Sequence, residues 1–99
     1  MSWATHLIEK LKAGETVIFN PKGNSMSPII KSGQQTVCRP YDPETDTLRK
    51  GMVVLCVVGR SQYLHLIKAV DKDRVLIGNN HGRINGWVAK EKVFGIKLL

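Results

Sequence analysis

The sequence predicts a mainly β fold, a small and partly open barrel with one short helix at its start. Three observations support this. Short segments rich in apolar and β-branched residues recur about every ten residues from residue 16 onward. Clusters of Gly, Asn, Pro and Asp separate these segments, as expected for turns. Residues 2–13 instead place their apolar side chains at helical spacing.

The predicted helix covers residues 2–13 and is amphipathic. Ser2 is a suitable N-cap, and Gly14 stands where a helix commonly ends. A helix of about 12 residues is marginal by itself, so we expect it to pack on the core of the domain. The apolar stripe that would make this contact consists of Trp3, Leu7, Ile8 and Leu11.

The strands are predicted in seven places along the rest of the chain. The run at 51–58 contains the longest apolar stretch and is the best candidate for a central buried strand. Residues 41–50 are polar and predict an exposed loop, whereas 25–31 fit neither period and contain Pro28. The predicted strands are 16–19, 35–39, 51–58, 62–70, 74–77, 87–88 and 93–98.

Length and composition restrict the class of protein. Ninety-nine residues are enough for one domain, here 1–99, with a helix at 1–14 and a β core at 16–99. The longest apolar run has seven residues, from 52 to 58, whereas a membrane helix needs about 20. The first residues show no signal peptide pattern. We therefore predict no membrane span and a cytoplasmic protein.

The net charge and the potential metal ligands restrict the partners and cofactors. Fifteen Lys and Arg against eight Asp and Glu give a net charge of +7, which makes nucleic acid a candidate partner. The basic residues form no run longer than two, which is not a concentrated nucleic-acid footprint. Cys38 and Cys56 predict free, buried thiols. The three histidines lie far apart in sequence, so neither a metal site nor a cofactor is predicted.

The most informative segment for chemistry is 23–28, Gly-Asn-Ser-Met-Ser-Pro. Gly23 allows a tight turn and a close approach of the backbone to a substrate. Ser25 then presents its hydroxyl, and the amide groups of the turn could bind an oxyanion. A nucleophilic serine also needs a base within hydrogen-bond reach.

This segment resembles the nucleophile motif Gly-x-Ser-Met-x-Pro of LexA-type and signal-peptidase-type serine peptidases. The resemblance extends over about residues 16–99 and suggests a stand-alone minimal domain. It implies the mainly β catalytic fold of that family and a Ser-His or Ser-Lys dyad that cleaves peptide bonds. Four further blocks follow in the order of the family, at 51–58, 63–70, 77–80 and 93–96.

The resemblance makes Ser25 the nucleophile and either His65 or Lys68 the general base. His65 is the easier base, because a histidine with a pKa of about 6.5 is largely neutral at pH 7. Lys68 would need desolvation to lower its pKa by several units. In a regular strand the two point to opposite faces, so at most one faces Ser25 unless a bulge intervenes. Asn24 and Met26 are the predicted oxyanion and substrate-binding positions.

Three positions at which the family carries aspartate are neutral here, and this leads to a second hypothesis. They are Gln34, Met52 and Asn79. In histidine-type members of the family, an aspartate near the position of Asn79 orients the base. Asn79 can form a hydrogen bond but cannot stabilise an imidazolium by charge. The alternative is a catalytically inactive copy of the fold that binds a protein or nucleic acid, and a dimer with a structural role is a third reading.

Under the peptidase hypothesis, the predicted partner is a polypeptide substrate that binds as an additional strand at an edge of the sheet. The sequence leaves the identity of the substrate and the oligomeric state open.

Overall fold

The computed structural model describes residues 3–98 and contains one antiparallel sheet of seven strands and one α-helix. The predicted mainly β fold with one short helix at its start is therefore confirmed. The helix α1 spans Thr5–Lys12, and a 3₁₀ turn at Lys90–Lys92 precedes the last strand. The strands are β1 (Val17–Phe19), β2 (Thr36–Pro40), β3 (Val53–Val58), β4 (Ser61–Asp71), β5 (Arg74–Gly78), β6 (Ile84–Ala89) and β7 (Val93–Lys97).

The sheet has the order β1-β2-β7-β3-β4-β5-β6, with β1 and β6 at its two open edges. The apolar run at 51–58 becomes β3, which lies in the middle of the sheet as predicted. Val54, Leu55 and Cys56 in this strand are fully buried. A strand that is covered on both faces has no polar position to alternate with, which explains its unbroken apolar sequence.

Two apolar clusters lie on the two faces of the sheet, because neighbouring residues of a strand point in opposite directions. Leu55 and Leu64 belong to the cluster that packs against α1, and Val54 and Ile77 belong to the other. The helix approaches β7 closely at Gly95, where an added Cβ would lie 2.8 Å from Leu11 Cδ1. The helix therefore depends on the sheet for its stability, as its length predicts.

Several element boundaries differ from the predictions. Helix α1 begins at Thr5, and its N-cap residue is Ala4, which makes no side-chain capping bond. The predicted cap Ser2 lies outside the described residues. Pro40 was expected to stop β2, but it is the last residue of that strand, beyond the segment that pairs with β1. Strand β6 is four residues longer than the predicted 87–88, because it begins at Ile84 and ends at Ala89.

No helix within residues 3–98 is long and apolar enough to cross a membrane. Cys38 and Cys56 are both free and buried. Burial raises the pKa of each thiol to about 12.

Candidate active site

Ser25 lies in the loop between β1 and β2, at the surface of the protein. Gly23 has a φ of +106°, a backbone conformation that favours glycine, and it sets the turn that leads into Ser25. The Gly33 amide donates to the Pro21 carbonyl at 2.7 Å, which ties the two ends of the loop together. Met26 and Ile30 are buried in the core cluster beside α1. The serine is thus presented by a loop that is anchored on both sides.

His65 lies in the middle of β4, opposite Val54 of β3, and is only 7% exposed. Its imidazole stacks on the Tyr63 ring, with 4.8 Å between the ring centroids. The two residues are two apart on one strand and so share a face. Stacking on one side and burial on the other leave the ring little freedom to rotate.

Ser25 and His65 form a hydrogen-bonded pair although 40 residues separate them. Ser25 Oγ lies 3.2 Å from His65 Nε2, and His65 Nδ1 lies 2.7 Å from Asn85 Oδ1. An amide oxygen only accepts hydrogen bonds, so the imidazole must donate its Nδ1–H to Asn85. In the neutral ring Nε2 then carries the lone pair and accepts the hydrogen bond from the Ser25 hydroxyl. This is the tautomer that a general base for Ser25 requires.

Asn85 reaches His65 from a β-bulge in β6. In the pairing of β5 with β6, Ile77 faces Gly86 and Gly78 faces Ile84, so Asn85 has no partner in the ladder. A bulge inserts one extra residue and re-aims its side chain, and such bulges are frequent next to active sites. The side chain that bonds to His65 Nδ1 is therefore Asn85 and not Asn79.

Lys68, the alternative base, lies at a second bulge, between Ile67 and Ala69 of β4. Its alkyl chain lies against Gly78, where an added Cβ would be 3.0 Å from Lys68 Cγ and Cε. Within residues 3–98, Ser25 Oγ has a hydrogen bond with His65 and none with Lys68. The structure therefore brings together Ser25 and His65, and it does not bring Lys68 to the serine.

In the loop between β1 and β2 (the serine loop, residues 20–35), the backbone next to Ser25 has free donors, whereas its carbonyls are occupied. The carbonyls of residues 24–27 all accept hydrogen bonds: Asn24 from Ser27 N, Met26 from Ile30 N, and Ser25 and Ser27 from Asn80. The amide groups of Asn24, Ser25 and Met26 have no hydrogen-bond partner among the described residues. Unpaired amides next to a nucleophile are what an oxyanion hole requires. The predicted positions Asn24 and Met26 thus flank Ser25 with available N–H groups.

The loop between β5 and β6 holds the serine loop in place. The Asn80 amide donates to Ser25 O at 3.0 Å, and Asn80 Nδ2 donates to Ser27 O at 2.9 Å. His81 Nε2 donates to Asn24 O at 3.0 Å. Asn79 organises this loop from within, because its Oδ1 accepts from the amides of His81 and Arg83 at 2.8 and 3.0 Å. Asn79 therefore supports the site indirectly and makes no hydrogen bond with His65.

The surroundings of His65 keep its imidazole neutral. Burial lowers the pKa of His65 below its usual value of 6.5, and the positive charge of Arg83 lowers it further. The hydrogen bond to Asn85 acts in the opposite direction but does not outweigh burial. Since a general base must be unprotonated, this direction of the pKa shift favours proton acceptance at pH 7.

A groove of about 700 Å³ opens beside the Ser25–His65 pair. Its walls come from the start of α1, the end of β1 and the serine loop, and its floor includes Met26, Ile30 and Leu64. Ligand sites in proteins commonly have volumes of about 300 to 1,000 Å³. The groove is thus large enough for a short extended segment of polypeptide.

No group of three or more His, Cys, Asp or Glu side chains in the described part of the chain could hold a metal ion. No protein-family model matches the sequence, and a search of curated proteins finds no match.

Three residues of this site were missed from the sequence: Asn85, Asn80 and His81. Residues 78–82 were predicted as a turn, and the resemblance assigned a possible role there only to Asn79, so the role of Asn80 and His81 in holding Ser25 was missed. For Asn85 a signal was present, because Asn followed by Gly is unusual inside a strand and a strand Gly suggests a bulge. Predicting that Asn85 lies beside His65 nevertheless required knowledge of how β4, β5 and β6 pair.

Proposed function

We propose that this protein is a serine peptidase of the LexA and signal-peptidase type, with Ser25 as nucleophile and His65 as general base. The observation that carries the proposal is the chain of hydrogen bonds from Ser25 Oγ to His65 Nε2 and from His65 Nδ1 to Asn85 Oδ1. A nucleophile, a base and a group that orients the base define such catalysts across unrelated folds. An asparagine in the third place has a precedent in Cys-His-Asn peptidases.

The reaction would begin when Ser25 Oγ attacks the carbonyl carbon of a peptide bond while His65 Nε2 takes its proton. The negative charge that develops on the carbonyl oxygen would be bound by the free amides beside Ser25, those of Asn24 and Met26 included. The protonated His65 then gives its proton to the departing amine, which leaves an ester on Ser25. A water molecule that loses a proton to His65 would hydrolyse this ester and restore the enzyme.

A serine-reactive fluorophosphonate tests the proposal directly. The wild-type protein should be labelled on Ser25 between about pH 7 and pH 9, where His65 is neutral. The Ser25→Ala variant should not be labelled. Ser27→Ala is the matched control, because Ser27 lies in the same loop and its hydroxyl makes no hydrogen bond within residues 3–98. Mass spectrometry of a peptide mixture incubated with the protein should then reveal cleavage that Ser25→Ala lacks.

One observation favours a second candidate, an inactive copy of the fold that binds a protein or nucleic acid. The partner of His65 Nδ1 is the neutral Asn85, which offers no charge to stabilise an imidazolium. For this candidate, the labelling experiment would give no Ser25 adduct. Affinity for nucleic acid driven by the net charge of +7 would fall steeply with added salt.

A further inference from the structure

The start of the chain forms one wall of the groove beside Ser25. Trp3 and Leu7 line it from the helix side, and Phe19 and Pro21 line it from the end of β1. The rings of Trp3 and Phe19 lie next to each other, with 6.0 Å between their centroids and an angle of 44° between their planes. Trp3 is 52% exposed although it is one of the largest apolar side chains in the protein. This apolar surface lies open to solvent at the place where a substrate would enter.

The helix wall has a fixed position relative to the Ser25–His65 pair. Gln62 of β4, three residues before His65, binds the start of α1 through three hydrogen bonds. Its carbonyl accepts from Trp3 Nε1 at 3.1 Å, its Oε1 accepts from Ala4 N at 2.7 Å, and its Nε2 donates to Thr5 Oγ1 at 2.9 Å. The buried side chains of Ile8 and Leu11 hold the rest of α1 on the sheet. A wall held in this way can discriminate between side chains, since it does not simply move aside.

The charge of the groove adds a second constraint. Among the described residues that line it, none is acidic, whereas Lys22 and His6 lie in its lining. The whole chain carries a net charge of +7. A basic segment would therefore be repelled, and a neutral or acidic one would be accepted.

We propose that this groove selects a polypeptide segment with a bulky apolar side chain, the size of leucine or phenylalanine, and no positive charge beside the bond that is cut. Trp3, Leu7 and Phe19 would be the residues that determine this specificity. Alanine would leave their apolar surface in contact with water, whereas a larger side chain would cover it. The cleavage part rests on the function proposed above, but the selectivity of the groove can also be measured by binding alone.

Peptidyl diphenyl phosphonates are suitable probes, because a nucleophilic serine attacks their phosphorus atom, expels one phenoxide and remains covalently bound as a phosphonate ester. The parent compound carries acetyl-Ala-Ala followed by the phosphonate analogue of alanine, and derivatives replace one alanine at a time by phenylalanine, leucine or lysine. We expect the best phenylalanine or leucine derivative to inactivate the wild-type protein about tenfold faster than the parent, or more. The lysine derivative at that position should react no faster than the parent.

The variants Trp3→Ala and Phe19→Ala should lower the ratio of phenylalanine to alanine rates severalfold. Trp87→Ala and Ile18→Ala are the matched controls, since both side chains are exposed and neither lines the groove, and they should keep the wild-type ratio. A ratio near one in the wild type would overturn the proposal. So would a ratio that Trp3→Ala and Phe19→Ala both leave unchanged.

A binding measurement separates this proposal from the proposed catalysis. Fluorescence polarisation with Ser25→Ala should show tighter binding of a labelled Ala-rich peptide that contains one phenylalanine than of the all-alanine peptide. If a small fluorophosphonate fails to label Ser25, the catalytic function fails, and this binding preference still supports the apolar groove. Equal affinity for the two peptides would refute the groove proposal even if Ser25 is labelled.

Discussion

Replacing Asn85 by aspartate tests the orientation of His65 at the level of single atoms. His65 Nδ1 lies 2.7 Å from Asn85 Oδ1, so the new carboxylate would sit directly beside the imidazole. Two unit charges about 4 Å apart at an effective dielectric constant of about 20 interact with about 4 kcal/mol. That energy corresponds to about three pKa units, and opposite charges at this range shift pKa values by about 1 to 3 units in proteins.

We therefore expect Asn85→Asp to raise the pKa of His65 by about 1 to 3 units from its depressed wild-type value. The direction follows because the carboxylate stabilises the protonated ring. Below its pKa the ring is charged and cannot act as a base, so the acidic limb of the pH profile for Ser25 labelling should move to higher pH. Above the new pKa, labelling should be faster than in the wild type, because the carboxylate also stabilises the imidazolium formed during attack.

The assay is a pH titration of the imidazole nitrogens by NMR, together with labelling rates over the same pH range. The wild-type spectrum should show the neutral ring with its proton on Nδ1. Asn79→Asp is the matched control: it makes the same charge change in the adjoining loop, where Oδ1 faces the amides of His81 and Arg83. An Nε2–H tautomer in the wild type, or the same His65 pKa in wild type and Asn85→Asp, would refute the geometry on which the mechanism depends.

Two further predictions concern the core. Leu55→Ala removes a fully buried side chain from the central strand and should lower the free energy of unfolding, measured by urea titration, by about 2 to 5 kcal/mol. The control Ile18→Ala changes a side chain that is 62% exposed and should change this free energy by less than about 0.5 kcal/mol. Similar losses in the two variants would contradict the burial pattern. Cys38 and Cys56, with pKa values of about 12, should stay unreactive toward a chromogenic disulfide reagent at about pH 8 and should both react in urea, because the thiolate is the nucleophile. Rapid modification of the folded protein would show that these thiols are accessible.

Much of the sheet could be predicted because strand signals are local. Alternation, turn residues and the long apolar run identified all seven strand regions and placed 51–58 at the centre. The end of β2 and the start of β6 were predicted less well. Pro40 remains in a strand because it pairs with Gly95, which lies far away in sequence. The residues around Gly86 remain in a strand because they pair with β5 across a bulge that was not predicted from the sequence.

The candidate site could be predicted in part. The motif around Ser25 and the later strand histidine pointed to two residues that form a hydrogen bond. His65 was preferred to Lys68 because of its lower ordinary pKa. Strand parity allowed only one of the two to face Ser25, and parity fails at a bulge. The bulge at Lys68 and the one at Asn85 both arise where β5 pairs with its two neighbours. No local sequence pattern predicts the pairing register of β4, β5 and β6.

The sequence by itself thus determined the class of fold, the central strand, and the turn that presents Ser25, because pleat, burial and turn chemistry act over a few residues. Only the tertiary structure decided which side chains surround that serine. Asn85 reaches His65 through a bulge, Asn80 and His81 hold the serine loop from another hairpin, and α1 supplies a wall of the groove. These contacts join segments about 20 to 60 residues apart, so they depend on sheet order and register, which are properties of the whole chain.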